Sequence, residues 1–317
     1  MKRKTNQVLS VAFSLVLLGG MFSSCSKSST PTPTPPSPIN GYSNSDSVAS
    51  ANDIAKWSFD GTLTESKQGL AGTAGPGGVA FTTGVKGQAW QGSSSVAHTA
   101  TFSAGTAIPH ISSYTFSFWM NSDSMKLPQS VATQGDGAQA IFTLVDPTNF
   151  WGDVNLFIEN RSPADNDTLR LKLLVYNFRT GVVWGGQGPI VRIPGSLKKW
   201  IHVALTYSDA TGVFTAYVNG TLAGKLEVPY GPASGGSYTQ YANDPGGLSN
   251  PNSAPIYGAI QFSPVPTQII IGGQNPGVGS QPWMTNYAGL LDEFRIYNKA
   301  LTSTEVSSVY QLELAGR

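Results

Sequence analysis

Eighteen carboxylates, three histidines and one cysteine are the reactive side chains of this 317-residue chain. Retaining hydrolysis of a glycosidic bond needs two carboxyl groups roughly 5 Å apart across the scissile bond. The nearest groupings are residues 153–159 and Asp292-Glu293, and neither sets two Glu on one strand face with an Asp between them. Asp292 is singled out by its setting: strict alternation puts it on one face with Leu290, Phe294 and Ile296. A carboxylate in such an inward row is costly unless a cation or hydrogen-bond donors compensate it. His202 lies inside an alternating strand, while His98 and His110 have no Cys or His neighbours, so no zinc spacing is present.

Binding is the better-supported chemistry. Sugars stack their C–H faces on aromatic rings while amides and carboxylates hold the hydroxyls. Trp151, Trp184, Tyr241 and Trp283 stand in Gly/Asn/Asp/Gln-rich surroundings, as in Asn149-Phe150-Trp151-Gly152-Asp153 and Trp184-Gly185-Gly186-Gln187. These four are the candidate ligand contacts, each with core or rim packing as the alternative. Loops carry function disproportionately, and these contexts read as loops.

The elements that must position them are strands. Residues 200–228 read as three consecutive antiparallel strands: Ile201, Val203, Leu205 and Tyr207 alternate with Trp200, His202, Ala204 and Thr206, Phe214, Ala216 and Val218 supply a second apolar face, and Asn219-Gly220 turns the chain. Leu222, Leu226 and Val228 begin the return strand. Tyr114, Phe116, Phe118 and Met120 share one face of another strand, and Leu169, Leu171, Leu173 and Val175 share one face of a third. Residues 141–145, 154–158, 190–193 and 268–271 read as further strands, with shorter ones near Trp57, Phe81, Trp90 and residues 182–184. Residues 228–267 break the pattern, and a loop of that length is usually functional or disordered. Its Tyr230, Tyr238, Tyr241, Tyr257 and Phe262 argue for an insertion folded onto the body. Thr302-x-x-Glu305 is a capping box that opens a helix with Val306, Val309, Tyr310 and Leu312 as its apolar positions.

The Trp, the His-Val-Ala-x-Thr-Tyr strand and the Tyr-Val-Asn-Gly hairpin resemble the central meander of laminin-G-like domains of the concanavalin A-like superfamily. AGLLDEFRIYNKALTSTE at residues 288–305 resembles the closing strand and short helix of that family. The resemblance implies an all-β jelly-roll sandwich of two antiparallel sheets with a short C-terminal helix. It also implies a structural calcium ion where the closing strand meets the first strand's loop, which carries over to Asp292 and Asp60, with Gly61 and Glu65 able to complete the site. The His of the meander has no chemistry in the family. The similar laminarinases carry Glu-x-Asp-x-x-Glu, which this chain lacks.

With 36 Gly, 21 Pro and 12% charged residues, the composition suits frequent turns and strands rather than long charged helices. Lys2, Arg3 and Lys4 precede an apolar run at residues 8–22 that ends at Ser23-Ser24-Cys25, the order of a secretory signal and too short for a comfortable membrane span. The only cysteine sits where the leader should be cut, so residues 1–24 resemble a bacterial lipoprotein signal and Cys25 the acylated first residue of the mature chain. Losing the three basic residues takes the formal net charge from +1 to −2, and no basic run remains for nucleic acid. Residues 25–50 form a Pro/Thr/Ser spacer, and residues 51–317 a single domain with its insertion at 228–267.

These observations lead to the expectation of a non-catalytic, carbohydrate-binding lipoprotein of the cell envelope, on the outer membrane by the resemblance of Ser26 after Cys25, with surface or periplasmic orientation open. Its partners would be a glycan and, through the lipid, the membrane. An adhesion or protein-interaction module and a divergent glycoside hydrolase are the alternatives.

Overall fold

The computed structural model describes residues 35–93, 96–122, 138–159, 167–179, 188–227, 235–241, 256–275, 281 and 284–317. The chain divides into Met1–Pro36 and Ser37–Arg317. All the elements named below belong to the second unit, and within the first only residues 35 and 36 are described.

Among the described residues, a 3-10 turn at Ser45–Ser47 is followed by eighteen strands in chain order. They are β1 (Asp53–Trp57), β2 (Thr73–Ala74), β3 (Ala80–Thr83), β4 (Gln88–Gln91), β5 (Ala100–Ser103), β6 (Tyr114–Asn121), β7 (Ala138–Asp146), β8 (Asn149–Ile158), β9 (Thr168–Val175), β10 (Ile190–Pro194), β11 (Ile201–Ser208), β12 (Val213–Val218), β13 (Thr221–Leu222), β14 (Leu226–Glu227), β15 (Ser237–Thr239), β16 (Gln268–Ile271), β17 (Met284–Asn286) and β18 (Leu290–Tyr297). Helix α1 (Ser303–Leu314) closes the chain.

The first sheet runs β13-β12-β11-β6-β18-β4-β3, with β1 on β18 and β15 on β12; the second runs β14-β10-β9-β8-β7-β16-β5-β2, with β17 on β7. Every described pairing is antiparallel except β17 with β7. The expected two-sheet jelly-roll sandwich is therefore the observed fold. Its core forms because period-two alternation sends one side chain in two inward from each sheet. From the first sheet come Phe116, Phe118, Val203, Leu205, Phe294 and Ile296; from the second come Phe142, Leu156, Leu171, Leu173 and Ile271. Phe294 joins the layers, stacking on Phe142 at 5.3 Å and on Phe118 at 5.3 Å, with Trp57 edge-on at 5.9 Å.

Two local expectations are corrected. The stretch after Asn219-Gly220 returns antiparallel along β12 through β13 for two residues only, and β14, with Leu226, then joins β10 in the other sheet. Asp292 does not share the inward row of Phe294 and Ile296. The register shifts between Asp292 and Arg295, with Glu293 at φ 46°, so Leu291 points inward and Asp292 lies opposite Trp119 on the outer face. One extra residue in a strand reverses the parity of all that precede it.

The described parts of the insertion do fold onto the body. β15 pairs with β12, while Tyr257, Ile260 and Phe262 are buried in the core. The rest of the insertion, residues 182–184 and Cys25 lie outside the described residues.

The outer faces of the sheets differ. Helix α1, opened by the expected Thr302–Glu305 capping box, lies across the first sheet: Tyr310 stacks on Trp119 at 5.5 Å and Glu313 accepts from Trp119 Nε1 at 2.9 Å. It is the only α-helix among the described residues. The outer face of the second sheet is where chemistry remains to be accounted for.

Candidate functional site on the second sheet

In β8, Val154, Leu156 and Ile158 enter the core, so Asp153, Asn155 and Phe157 face outward. Gly152 makes this aim possible. At φ 71° it lies so close to β7 that a Cβ would stand 2.4 Å from the Leu144 carbonyl oxygen, and the β7–β8 register shifts between Leu144 and Asp146.

Asn155 lies opposite Thr143 on β7 and Leu174 on β9. Thr143 donates to the Gly273 carbonyl at 3.1 Å, and Asn275 donates to the Asp146 carbonyl at 2.9 Å, so residues 273–275 run alongside β7 past this point. Asp146, whose charge acts on Asp153, thus borders one outward region with Asp153 and Asn155, and Gln274 lies in the segment that passes it.

The cluster is shielded and unsatisfied. Asp153 and Asn155 are 0% exposed, and both carboxylate oxygens of Asp153, both side-chain polar atoms of Asn155 and Oε1 of Gln274 lack a hydrogen-bond partner. Buried polar atoms are nearly always paired, and a group of unpaired oxygens is the usual mark of a missing ion or water. Burial, followed by the charge of Asp146, pushes the Asp153 carboxyl up to about 7. Two carboxylates with amide oxygens are the hard donor set that calcium takes. Asp146 commits one oxygen to the Thr148 backbone and hydroxyl, at 2.7 Å each. These side chains fit a cation; Asn155 Nδ2 is the one orphan that an ion would not satisfy.

Beside the cluster is an aromatic surface. Tyr176 N–H donates to the Asp153 carbonyl at 2.8 Å, and the Tyr176 ring stacks on Phe178 at 6.0 Å. Phe178 is 42% exposed, unusual for a phenyl ring that the core could have used. It is held there because Asn177, between the two rings, is buried: it donates to the Tyr257 and Ala259 carbonyls at 3.1 Å each and accepts from Arg179 and Gln261. The insertion therefore sets the platform's geometry.

Trp151 is half-buried, edge-on to Phe150 at 5.2 Å and tilted on Phe157 at 5.8 Å, in a small apolar cluster with Ala140, Leu174 and Met284. It shares the face, but as packing. Tyr241 is bridged to Ile256, whose carbonyl accepts from Arg179, so it braces the segment behind the platform rather than joining Trp151. Trp184 and Trp283 lie outside the described residues. Tyr176, Phe178, Asn155 and Gln274 were not among the sequence candidates.

Asp60 and Asp292 both bind backbone amides of the turn that joins β3 to β4. Asp292 accepts from Val85 N (2.7 Å), Lys86 N (3.0 Å) and Glu293 N (2.8 Å), and Asp60 accepts from Gln88 N (2.7 Å). Burial pushes Asp292 up to about 7 against these amides. Glu65 is likewise spent on the Lys56, Lys67 and Gln68 amides. Backbone donors already engage both Asp292 oxygens and Asp60 Oδ1, so the residues fit an ion less well here than at Asp153. Among the described residues, no three His, Cys, Asp or Glu side chains converge as metal ligands.

His202 is fully buried beneath Tyr310, with Nε2 2.9 Å from Ser117 Oγ, and burial pushes it down to about 3. It is a neutral packing residue out of reach of any substrate.

A model of the Laminin_G_3 family, described as the concanavalin A-like lectin/glucanases superfamily, matches residues 91–262, more than half of the chain. No curated protein matches in sequence. Among solved structures, the binding domain of Paraclostridial Mosquitocidal Protein 1 is 15% identical with a TM-score of 0.51, covering 82% of this chain and 52% of that one. The binding domain of botulinum neurotoxin serotype D is 12% identical with a TM-score of 0.50, covering 85% and 51%. This chain spans about half the length of either, and at these identities the likeness is one of fold.

Proposed function

The chain belongs to the concanavalin A-like lectin/glucanase superfamily, and from that premise we propose that it is a non-catalytic glycan-binding module. A sugar would stack on Tyr176 and Phe178, beside a calcium ion held by Asp153 with Asp146, Asn155 and Gln274. The observation that carries this reading is the shielded, unpartnered Asp153 carboxylate next to the exposed Phe178 ring and the half-buried Tyr176 ring on which it stacks. Bound calcium would supply positive charge to the buried acceptors and, through them, a fixed position for the start of the platform. The chain's own residues do the rest: Gly152 aims Asp153, Asn177 fixes Phe178 outward, and the rings cover the sugar's apolar face.

Anchoring through acylated Cys25 completes the proposal and places the module at the envelope as an accessory to polysaccharide capture. Replacing Cys25 by Ser would move the protein from the membrane to the soluble fraction; unchanged partitioning would refute the anchor.

The test of the binding reading is native affinity electrophoresis of the unacylated protein through a panel of neutral and acidic polysaccharides, with calcium and again with chelator. Retardation by one polysaccharide class, weakened by chelator, is the expected result. No retardation of folded protein in any gel would overturn it and turn the search to protein partners.

A further inference from the structure

A second concentration of buried polar groups lies on the opposite side of the sandwich. In β18, Phe294 and Ile296 face the core and Arg295 between them faces outward from the first sheet, yet its side chain is fully shielded. Its guanidinium reaches Glu313 of α1 (2.9 Å), Asp53 of β1 (2.8 Å), Ser45 and Asp46 of the 3-10 turn (2.9 and 2.7 Å), and Glu293 of its own strand (3.0 Å). Lys56 joins the set through Asp46 at 2.8 Å and Glu293 at 3.2 Å, and Lys67 through Asp53 at 3.0 Å.

One side chain therefore ties together four elements, including both ends of the domain. The ends also touch directly. Arg317 donates to the carbonyls of Ser43 (3.1 Å) and Ser37 (3.0 Å), its own carbonyl accepts from Ser45 N, and Asn40 donates to Ser308. Val48 is buried against Val309 and Leu312 of α1.

Apolar residues of like volume can hold such a position as well as a buried ion cluster does, so the charges are better explained by the specificity of what they join. Each donor of the planar guanidinium fork must meet its own acceptor. A shifted helix would strand the buried Glu313 carboxylate without its partner, and a shifted 3-10 turn would take two acceptors from the buried guanidinium.

We infer that the Arg295 cluster is a clasp that fixes the chain's entry, at Ser37, onto the face opposite Asp153 and the Tyr176–Phe178 pair. A domain held by its N-terminal segment then displays its ligand face outward. Only this display rests on the glycan reading above; the clasp itself does not.

Two measurements separate the parts. In the first, hydrogen exchange compares the whole protein with an Asp46→Asn/Arg317→Ala variant, which loses contacts at the rim of the cluster and keeps Arg295. Exchange of residues 38–48 and of the last turns of α1 rises together, by about tenfold or more, while β6 and β11 keep their protection. Independent loosening of one end, or no change at either, overturns the clasp. Should this variant fail to fold, Asp46→Asn alone, which removes a rim partner of Arg295 and Lys56, gives the same reading.

In the second, the chain is immobilised through its own Cys25 thiol, or through Gln268→Cys in a Cys25→Ser background, a position on the outer face of the second sheet. Capture of the polysaccharide found by electrophoresis persists with the first linkage and falls about tenfold with the second. Equal capture by both, or loss with the first alone, overturns the display. If free protein captures no polysaccharide, the glycan reading and the display fail together, and the exchange result still decides the clasp.

Discussion

Replacing Asp153 by Asn removes a charge that the chelated protein has no partner for. The carboxyl is pushed up from 3.8 to about 7, chiefly by burial and then by Asp146. Because the folded value is raised, the native state keeps a proton that the unfolded chain has already lost. This group's contribution therefore falls as pH rises from about 4 to about 7, and is level above that. Three units correspond to a ceiling of about 4 kcal/mol. Discounting for solvent screening near a sheet surface leaves about 2 kcal/mol. The assay is urea and thermal unfolding of wild type and Asp153→Asn in chelator, from pH 4 to pH 8. The variant should match wild type near pH 4 and exceed it by about 2 kcal/mol at pH 8, or about 4–8 °C in Tm for a domain of this size. Calcium at a hundredfold excess over its Kd should raise wild type by about 2.7 kcal/mol and leave the variant unmoved. A chelated variant no more stable than wild type at pH 8, or one that calcium stabilises equally, would refute the reasoning.

Three further outcomes follow from single contacts. Phe178→Ala should leave the unfolding free energy within about 0.5 kcal/mol, because the ring is exposed, while weakening polysaccharide binding by about tenfold; intact binding would remove the platform. Gly152→Ala should cost about 1–3 kcal/mol, since its φ of 71° and the Leu144 carbonyl at 2.4 Å both exclude a Cβ, and should weaken calcium binding measured by calorimetry. Thr302→Ala should cost about 1 kcal/mol by breaking the capping box; an unchanged denaturation curve would mean that α1 is held by Tyr310, Glu313 and Leu312 alone.

The sheets were legible wherever alternation was unbroken. Tyr114, Phe116, Phe118 and Met120 do share one inward face, as do Leu169, Leu171, Leu173 and Val175, because one face of each strand had to meet the core. Parity failed where the backbone departs from it. Nothing in Leu291-Asp292-Glu293-Phe294 announces the bulge that turns Asp292 outward. The switch of the chain from β13 to β14 depends on a partner strand some thirty residues earlier.

The site was harder to read because its parts come together only in the fold. Asp153 was visible as one of a carboxylate group, but Gln274 is 121 residues away, and Tyr176 directly follows the leucine-rich row that ends at Val175. The available signal was Asp153-x-Asn155-x-Phe157: two polar groups and a ring on the outward positions of a strand whose inward positions are Val154, Leu156 and Ile158. The Trp-rich contexts drew attention instead. Of those, Trp151 is occupied in packing, because an indole beside Phe150 and Phe157 buries more apolar surface there than it could expose to a ligand.

The most direct test is affinity electrophoresis, in calcium and in the retarding polysaccharide, of four proteins side by side: wild type, Asp153→Asn, Phe178→Ala and Asp60→Asn. The account predicts that wild type and Asp60→Asn are held back equally, while Asp153→Asn and Phe178→Ala run free. Retention of both second-sheet variants, with release of Asp60→Asn, would contradict it and move the site to the turn where Asp60 and Asp292 meet.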